Sequence, residues 1–499
     1  VTDQLTVLAC VAALLGIGFY FARRQRTTED YFLAGRNQRP WVAGISLFAA
    51  LFSLVAYIAV PGEVVQHGPM LVYGSLLVLP FSYFVLTRGL IPAFMRLPIT
   101  SGYELLETKL GRSVRLTGAF TFVVVRLVWM ALILYVAAGV LVSATGGDRK
   151  WIPLLEAAIG LLATLYTLAG GIEAAMMTAV LEFALLVLGA LLTIVLITVR
   201  AGGVGAWWPS PVPAHWQAQP VFSLDWHIRL TGLATFISYF ISTVSGGGSD
   251  QVAIQRYLTT RDVAAARRAV LFGHLAVGSV LLILALVGAA LLGYYRLFPA
   301  ELAPGMSLGQ AGDALFPFFL SHALPPGVSG LVVAGLVTSA VSGIGPSLHS
   351  VITVIDQDFL QPRRRWAQRT EAARIRTSRF LAAGVGLVIM AGSLGMASVR
   401  GNLVEVSGKT VNLLFYPIFG LFVLALFVRF ATARGAILGA LCGAGAGILV
   451  GYWDVITGLA PLSFQWIGLC SLSTTLVAGC LFSLSPFGRG PAPVPASEP

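Results

Sequence analysis

The chain is short of charge. Asp, Glu, Lys and Arg make up 11% of its 499 residues, against roughly 25% in an ordinary soluble domain. Thirty-two Lys and Arg with 21 Asp and Glu cannot clothe such a length in a water-facing surface. A soluble or disordered main body is therefore excluded. Cysteine is scarce too. Cys10, Cys442, Cys470 and Cys480 all fall in apolar stretches, at spacings that suit neither a disulfide framework nor a metal site. No Gly-rich run ending in Gly-Lys-Ser/Thr is present to cradle a phosphate, and no appended soluble domain is expected. That leaves no place for an ATPase, kinase or receptor-output module. No pair of acids, His/Cys/Asp cluster or Ser/His/Asp set stands at a spacing that would indicate an enzyme.

What the chain does have is apolar length. Hydrophobic residues are 57% of it and the mean hydropathy is +0.85. A membrane-spanning helix needs about 20 mostly apolar residues. Thirteen stretches qualify, near 4–22, 41–60, 70–90, 116–142, 152–169, 174–199, 230–249, 269–293, 327–355, 379–396, 411–429, 433–451 and 464–484. They are too long for barrel strands. The expected fold class is an all-α polytopic membrane protein with 13 transmembrane helices. The first apolar run has no basic residue ahead of it and Arg23, Arg24 and Arg26 behind it, which suits a retained helix that starts outside. Thirteen crossings then put the N-terminus outside and the C-terminus inside. On that assignment 24 of the 32 Lys and Arg lie on the inner side, seven lie outside, and Arg126 lies within a span. The net charge of +11 is thus a positive-inside pattern and not a nucleic-acid surface. Retention and anionic lipid explain the densest basic block, Arg363, Arg364, Arg365, Arg369, Arg374, Arg376 and Arg379. A multi-pass protein of the cell membrane is expected, in the bacterial inner membrane. Lipid is a partner, nucleic acid is not, and a monomer is the default with the oligomeric state open.

Between the spans, the outer loop near 200–228 carries Trp207, Trp208, Trp216 and Trp226 among prolines, as rings at headgroup level do. The segments 102–109 and 261–268 read as short amphipathic pieces on the cytoplasmic face. The tail 486–499, rich in Pro and Ala, reads as disordered.

Polar groups inside lipid are the informative ones. The second span reads Gly44-Ile45-Ser46-Leu47-Phe48-Ala49-Ala50-Leu51-Phe52-Ser53 and runs on to Pro61-Gly62-Glu63. The seventh ends in Ser242-Thr243-Val244-Ser245-Gly246-Gly247-Gly248-Ser249-Asp250, where three glycines weaken a helix. The ninth carries Thr338-Ser339-Ala340-Val341-Ser342-Gly343, with Ser339 and Ser342 on one face. Such a face supplies oxygens to a cation beside a broken helix. It equally suits close packing by small residues. Arg126 has three readings: it binds an anionic substrate, pairs with an acid such as Glu182, or snorkels to a helix end. Glu156, Glu173 and Glu182 are possible partners or proton carriers, with Glu173 expected to be solvated in a short inner loop. His274 and His349 suit buried, hydrogen-bonded histidines better than proton relays.

These features together resemble the sodium:solute symporters. Tyr31-Phe32-Leu33-Ala34-Gly35-Arg36-Asn37 resembles the family's motif ahead of its first core helix, and Pro61-Gly62-Glu63 the end of that helix. Thr167-Leu168-Ala169-Gly170-Gly171-Ile172-Glu173-Ala174 resembles its Gly-Gly signature. Asp250-Gln251 with Ile254-Gln255-Arg256-Tyr257-Leu258 resembles its Asp-Gln-x-x-x-Gln-Arg-Tyr segment. Phe415-Tyr416-Pro417-Ile418-Phe419-Gly420-Leu421-Phe422 resembles its helix-eleven motif. Matches run in order from about residue 5 to 485.

The resemblance implies one transporter domain over 1–485. Its core would be a LeuT-like pair of inverted five-helix repeats, near 41–199 and 230–429. It implies sodium-coupled uptake of a small organic solute by alternating access, with Na+ as the transported coupling ion and no organic cofactor. Backbone oxygens of Ala49, Phe52 and Ser339 and the hydroxyl of Ser342 would hold the sodium. Ser53, Ala56, Tyr57, Arg126, Ser245 and Gly246 would line the substrate site. The segments 46–63 and 99–104 are most similar to the monocarboxylate, vitamin and iodide branch, and a small organic anion would suit Arg126. Two positions depart from the family pattern. Gly343 stands where a second hydroxyl is usual, and Thr178-Ala179 where Thr-Asp is frequent. A proton-coupled or uncoupled carrier, or a non-transporting sensor, is the alternative on the same fold.

Overall fold

The computed structural model describes residues 2–22, 27–52, 54–145, 147–216, 219–310, 312–325, 327–361, 370–396 and 403–485. Ser53, Arg23, Arg24, Arg26, the basic run 363–369 and the tail 486–499 lie outside them. Among the described residues the helices of twelve or more residues are α1 Thr2–Ala22, α2 Pro40–Leu51, α3 Leu54–His67, α4 Met70–Val85, α5 Arg112–Thr145, α6 Ile152–Ala201 and α7 Gly232–Ser249, then α8 Val263–Leu297, α9 Val328–Val354, α10 Glu371–Met396, α11 Leu403–Phe427, α12 Ala433–Gly451 and α13 Trp466–Leu484. No strand occurs among the described residues. This is a multi-pass, all-helical membrane protein. Eight of its described helices are long and apolar enough to cross a membrane, or nine if the bent pair α2/α3 is one span. Shorter apolar runs lie at Leu5–Gly18 in α1 and Leu413–Phe427 in α11. Ser, Thr and Gly dilute the apolar character of α7.

Several details differ from the sequence reading. The expected inner loop near 170–173 shrinks to one non-helical residue, Gly171, at φ 57° and ψ −165°. That conformation is costly for any residue with a Cβ. Glu173 is consequently not in a solvated loop; it is half-buried and accepts a hydrogen bond from Gln38 Nε2 (3.2 Å). The segment 104–110 is a short helix with Leu105, Leu106 and Leu110 buried. From Val263 onward, however, the 261–268 segment is the start of α8, capped by the Asp262 carboxylate on the Ala265 N–H (2.7 Å). Trp207 is buried and donates to Thr198 Oγ1 (2.9 Å), and Trp216 donates to Val65 O (2.9 Å), so these rings are partly satisfied by protein.

The motifs that carry the resemblance fasten one end of the bundle together. Gln251, in the short helix Gln251–Leu258, accepts from Gly102 N–H (2.8 Å) and donates to Thr100 O (2.9 Å). Gln255 donates to Phe32 O (2.8 Å) and accepts from Ser350 Oγ of α9 (2.8 Å). Four chain segments thus share two glutamines, because backbone ends buried in a helical bundle must find donors and acceptors within it. Helix α2 lies so close to α8 that a Cβ on Gly44 would stand 2.4 Å from Ala269 O.

At the other end, Glu63 of α3 is buried and holds Arg229 through both oxygens, at 2.5 and 3.0 Å. Arg229 lies over the Phe464 ring, and Trp226 stacks on Trp466 (4.9 Å). The loops before α7 and before α13 are therefore joined to each other and to α3. E63Q and R229Q should each lower the melting temperature of the purified protein. The double variant should lose less than the sum, with a coupling of about 1–3 kcal/mol. Strict additivity would show that the pair contributes nothing.

Candidate functional site

The break between α2 and α3 organises the site. The two axes are bent by 66°. Phe52 leaves helical geometry (φ −95°, ψ 94°) where the chain turns. A broken helix leaves backbone carbonyls without intrahelical donors. Ala49 and Phe52 at this break are buried, and α2 packs against α6 and α9. Ser339 and Ser342 of α9 are buried as well. The sodium residues inferred from sequence therefore lie on helices that pack together. Between α6 and α9 stands a residue the sequence reading left without this role. Glu182 is fully buried, and its Oε2 accepts a hydrogen bond from Ser342 Oγ. Its Oε1 and the Ser339 Oγ have no hydrogen-bond partner among the described residues. Ala179, where the acid was expected, is one turn earlier and also buried. Residues three apart share a helix face, so Glu182 supplies a carboxylate on the face where Ala179 lacks one. At Gly343 a Cβ would meet only the Ile133 side chain at 3.4 Å, so the missing hydroxyl leaves room rather than a filled contact.

Beside this set lies a cavity of about 350 Å³, within the size range of small-molecule sites. Phe52, Ala56, Ala59 and Val60 form one wall, and Trp129 and Arg126 of α5 another. Tyr239, Ser242, Gly246 and Asp250 come from α7 and its end, Phe415 and Tyr416 from α11, and Gln465 from the loop before α13. Of the substrate residues inferred from sequence, Ala56, Arg126 and Gly246 line this space. Tyr57 lies off it, donating to Leu186 O (3.1 Å) and packing against Phe316. Ser245 is buried off the lining as well. Ser53 is outside the described residues.

Arg126 is 5% exposed, does not snorkel, and pairs with an acid. That acid is Asp250, not Glu182. Arg126 Nη1 also donates to Ser347 Oγ (3.4 Å), while its buried Nε has no hydrogen-bond partner. Asp250 sits where α7 ends, with Oδ1 capping the next short helix at Val252 N (2.9 Å) and Oδ2 turned to Arg126. Sequence reasoning quoted Asp250 as a motif letter and missed the pairing. Its only signal was an acid adjoining a Gly-rich helix end. Trp129, Tyr239 and Gln465 were missed too, since nothing in their local spacing marks a cavity wall.

The remaining polar candidates are fastened elsewhere. Glu156 accepts from Ser393 Oγ of α10 (2.9 Å). His274 bonds Ser82 Oγ (3.0 Å) and Val270 O (3.0 Å). His349 approaches Gln255 Nε2 (3.4 Å) and lies beside the rings of Tyr31 and Phe32. Among the described residues no group of three or more His, Cys, Asp or Glu could hold a metal ion.

The model of the sodium:solute symporter family matches residues 31–443. The sodium/sialic acid symporter NanT of Aliivibrio fischeri is 27% identical over 485 residues, covering 96% of this chain and 92% of its own. A solved Na+-coupled sialic acid symporter, in a substrate-bound outward-open state, superposes with a TM-score of 0.83 at 25% identity, covering 97% of this chain and 98% of that one. The sodium-dependent multivitamin transporter of Oryctolagus cuniculus is 29% identical, covering 90% of this chain but 70% of its own. The lean toward the monocarboxylate, vitamin and iodide branch is thereby corrected. The sialic acid symporters match almost end to end, whereas the vitamin carrier leaves much of its length unmatched. The short segments behind that lean, 46–63 and 99–104, serve the helix break and the fastened bundle end.

D250N should leave the buried Arg126 charge without its partner, a change that costs about 3–5 kcal/mol when one member of a buried pair is removed. A fall of several degrees in melting temperature is the expected result. Wild-type melting of D250N would show that the charge is balanced elsewhere.

Proposed function

Because the chain belongs to the sodium:solute symporter family, we propose that its cargo is a sialic acid or a similar carboxylated sugar, held at Arg126. Sodium-coupled secondary transport of a small solute across a membrane is its activity, and it is a transporter rather than an enzyme. The observation that carries the substrate reading is the state of Arg126. It faces a cavity of suitable size, and its buried Nε lacks a partner. A guanidinium has five donors in a planar fork that suits a carboxylate. Asp250 and Ser347 engage part of that fork, and the cargo carboxylate takes what remains.

The sodium ion would sit among the backbone oxygens of Ala49, Phe52 and Ser339, the Ser342 hydroxyl and the Glu182 carboxylate. Glu182 answers the two departures from the family pattern. It supplies the oxygen that Gly343 lacks and the charge that Ala179 lacks. A buried carboxylate is expensive unless a cation meets it, so sodium is favoured there on charge alone. Ion binding would order the break between α2 and α3. Because α3 carries Ala56, Ala59 and Val60 into the cavity, ordering it raises cargo affinity, and by linkage cargo raises sodium affinity equally. To drive the cycle, sodium must prefer the outward-facing state, since equal affinity for both states would shift nothing. The voltage adds about 2.3 kcal/mol per charge per 100 mV.

The finer architecture is part of the same proposal. Thirteen crossings would follow from the thirteen apolar stretches, and an N-terminus outside with a C-terminus inside from the distribution of Lys and Arg. Two inverted repeats near 41–199 and 230–429 would then hold the site between the broken helix α2/α3 and the end of α7 at Asp250. The cytoplasmic membrane of a bacterium is the location that the bacterial relatives support.

Two experiments test this reading. Proteoliposomes should accumulate radiolabelled N-acetylneuraminate under an inward sodium gradient and not without it, and R126Q should lower the rate at least a hundredfold. Equal uptake with and without the gradient would refute coupling to sodium. S342A and E182A should each raise the sodium concentration needed for half-maximal thermal stabilisation by about tenfold. An unchanged sodium response would remove that residue from the site.

A further inference from the structure

The cavity is chemically different toward its two ends. Helix α7 runs along it for 18 residues, about 27 Å at 1.5 Å per residue. At its final end stand Asp250 and Arg126. Near its start stands the loop that leads into α13. Ser463 of that loop donates to Arg229 O (2.6 Å), three residues ahead of α7, and its N–H donates to Trp226 O (2.8 Å). Gln465 follows, in the cavity wall with Tyr239 and Tyr416.

Gln465 is 1% exposed, yet neither its amide nitrogen nor its amide oxygen has a hydrogen-bond partner among the described residues. Leaving such a group unsatisfied is costly, because burial has stripped it of water. The backbone around it is settled, with Trp466 N–H bonded to Ser463 O (3.1 Å). The backbone is therefore held while the side-chain donors and acceptor are left for whatever fills the cavity. A primary amide offers two N–H donors and one carbonyl oxygen and carries no charge. It matches a hydroxyl or an acylamino group, which both give and accept hydrogen bonds, and has little to offer a second carboxylate or an alkyl chain.

We infer that Gln465 is a specificity-determining residue that binds the neutral, hydroxylated or acylated body of the cargo while Arg126 holds its carboxylate. This rests on the carboxylated-sugar reading above and deepens it. A solute must carry both groups, set well apart, to satisfy both residues; a short monocarboxylate reaches Arg126 alone. The discriminating residue comes from the segment before α13, outside the two proposed repeats.

The test is calorimetric binding of N-acetylneuraminate to the purified protein in saturating sodium, with Q465L and Q465N. Q465L should bind at least tenfold more weakly, and Q465N, which keeps the amide on a shorter stem, should fall between Q465L and wild type. The sodium-induced rise in melting temperature should persist in both variants. Wild-type affinity in Q465L would overturn this inference and leave the substrate reading standing. Loss of the sodium response along with binding in both variants would mark Gln465 as a structural residue and equally overturn it. Failure of the wild-type protein to bind N-acetylneuraminate would bring down the substrate reading and this inference together.

Discussion

A charge held among helices in lipid must be answered from within the protein, because the hydrocarbon around it supplies neither water nor counter-ions. The structure gives three different answers. Arg126 is met by Asp250, and Glu63 by Arg229. Glu182 is met by the Ser342 hydroxyl and is included in none of the ion pairs among the described residues. The first two are fixed pairs that hold elements together. The third is a carboxylate left without a cation among the described residues, which is what the proposed sodium site calls for. A carrier needs both kinds, since a site whose charge were permanently balanced would have no reason to take up an ion.

Much of this was legible in the amino-acid sequence. Scarcity of charge placed the chain in lipid, and the three-residue spacing of Ser339 and Ser342 placed two hydroxyls on one face. Other features were hidden for identifiable reasons. Asp250 and Arg126 meet across the bundle, and no local period connects an α7 end to the middle of α5. Glu182 was hidden because the family pattern places its acid at position 179. A helical face, however, is shared by positions three apart. Tyr57 follows Ala56 but points toward Leu186 instead of the cavity. Only the direction of α3 after its 66° bend decides which of two neighbours faces inward.

Asp250 does two jobs with one carboxylate. One oxygen caps the helix Gln251–Leu258 and the other faces Arg126. That helix carries the two glutamines that fasten the 31–37 segment, the 99–104 segment and α9. The cavity wall and the fastened end of the bundle are thus adjacent in the chain as well as in space. A shift of the carboxylate toward or away from Arg126 is felt at the first turn of the fastening helix.

Helix α3 begins at the break beside the oxygens proposed to hold sodium and carries Glu63 near its far end. The rise from Leu54 to Glu63 is about 14 Å. Through Arg229, Glu63 is tied to the loops that join Trp226, Ser463 and Trp466. One short rod therefore has its foot at the proposed ion site and its head against the loops before α7 and α13. On the proposed ion site, a tilt set at the foot would reach those loops through one helix rather than through a relay of side chains.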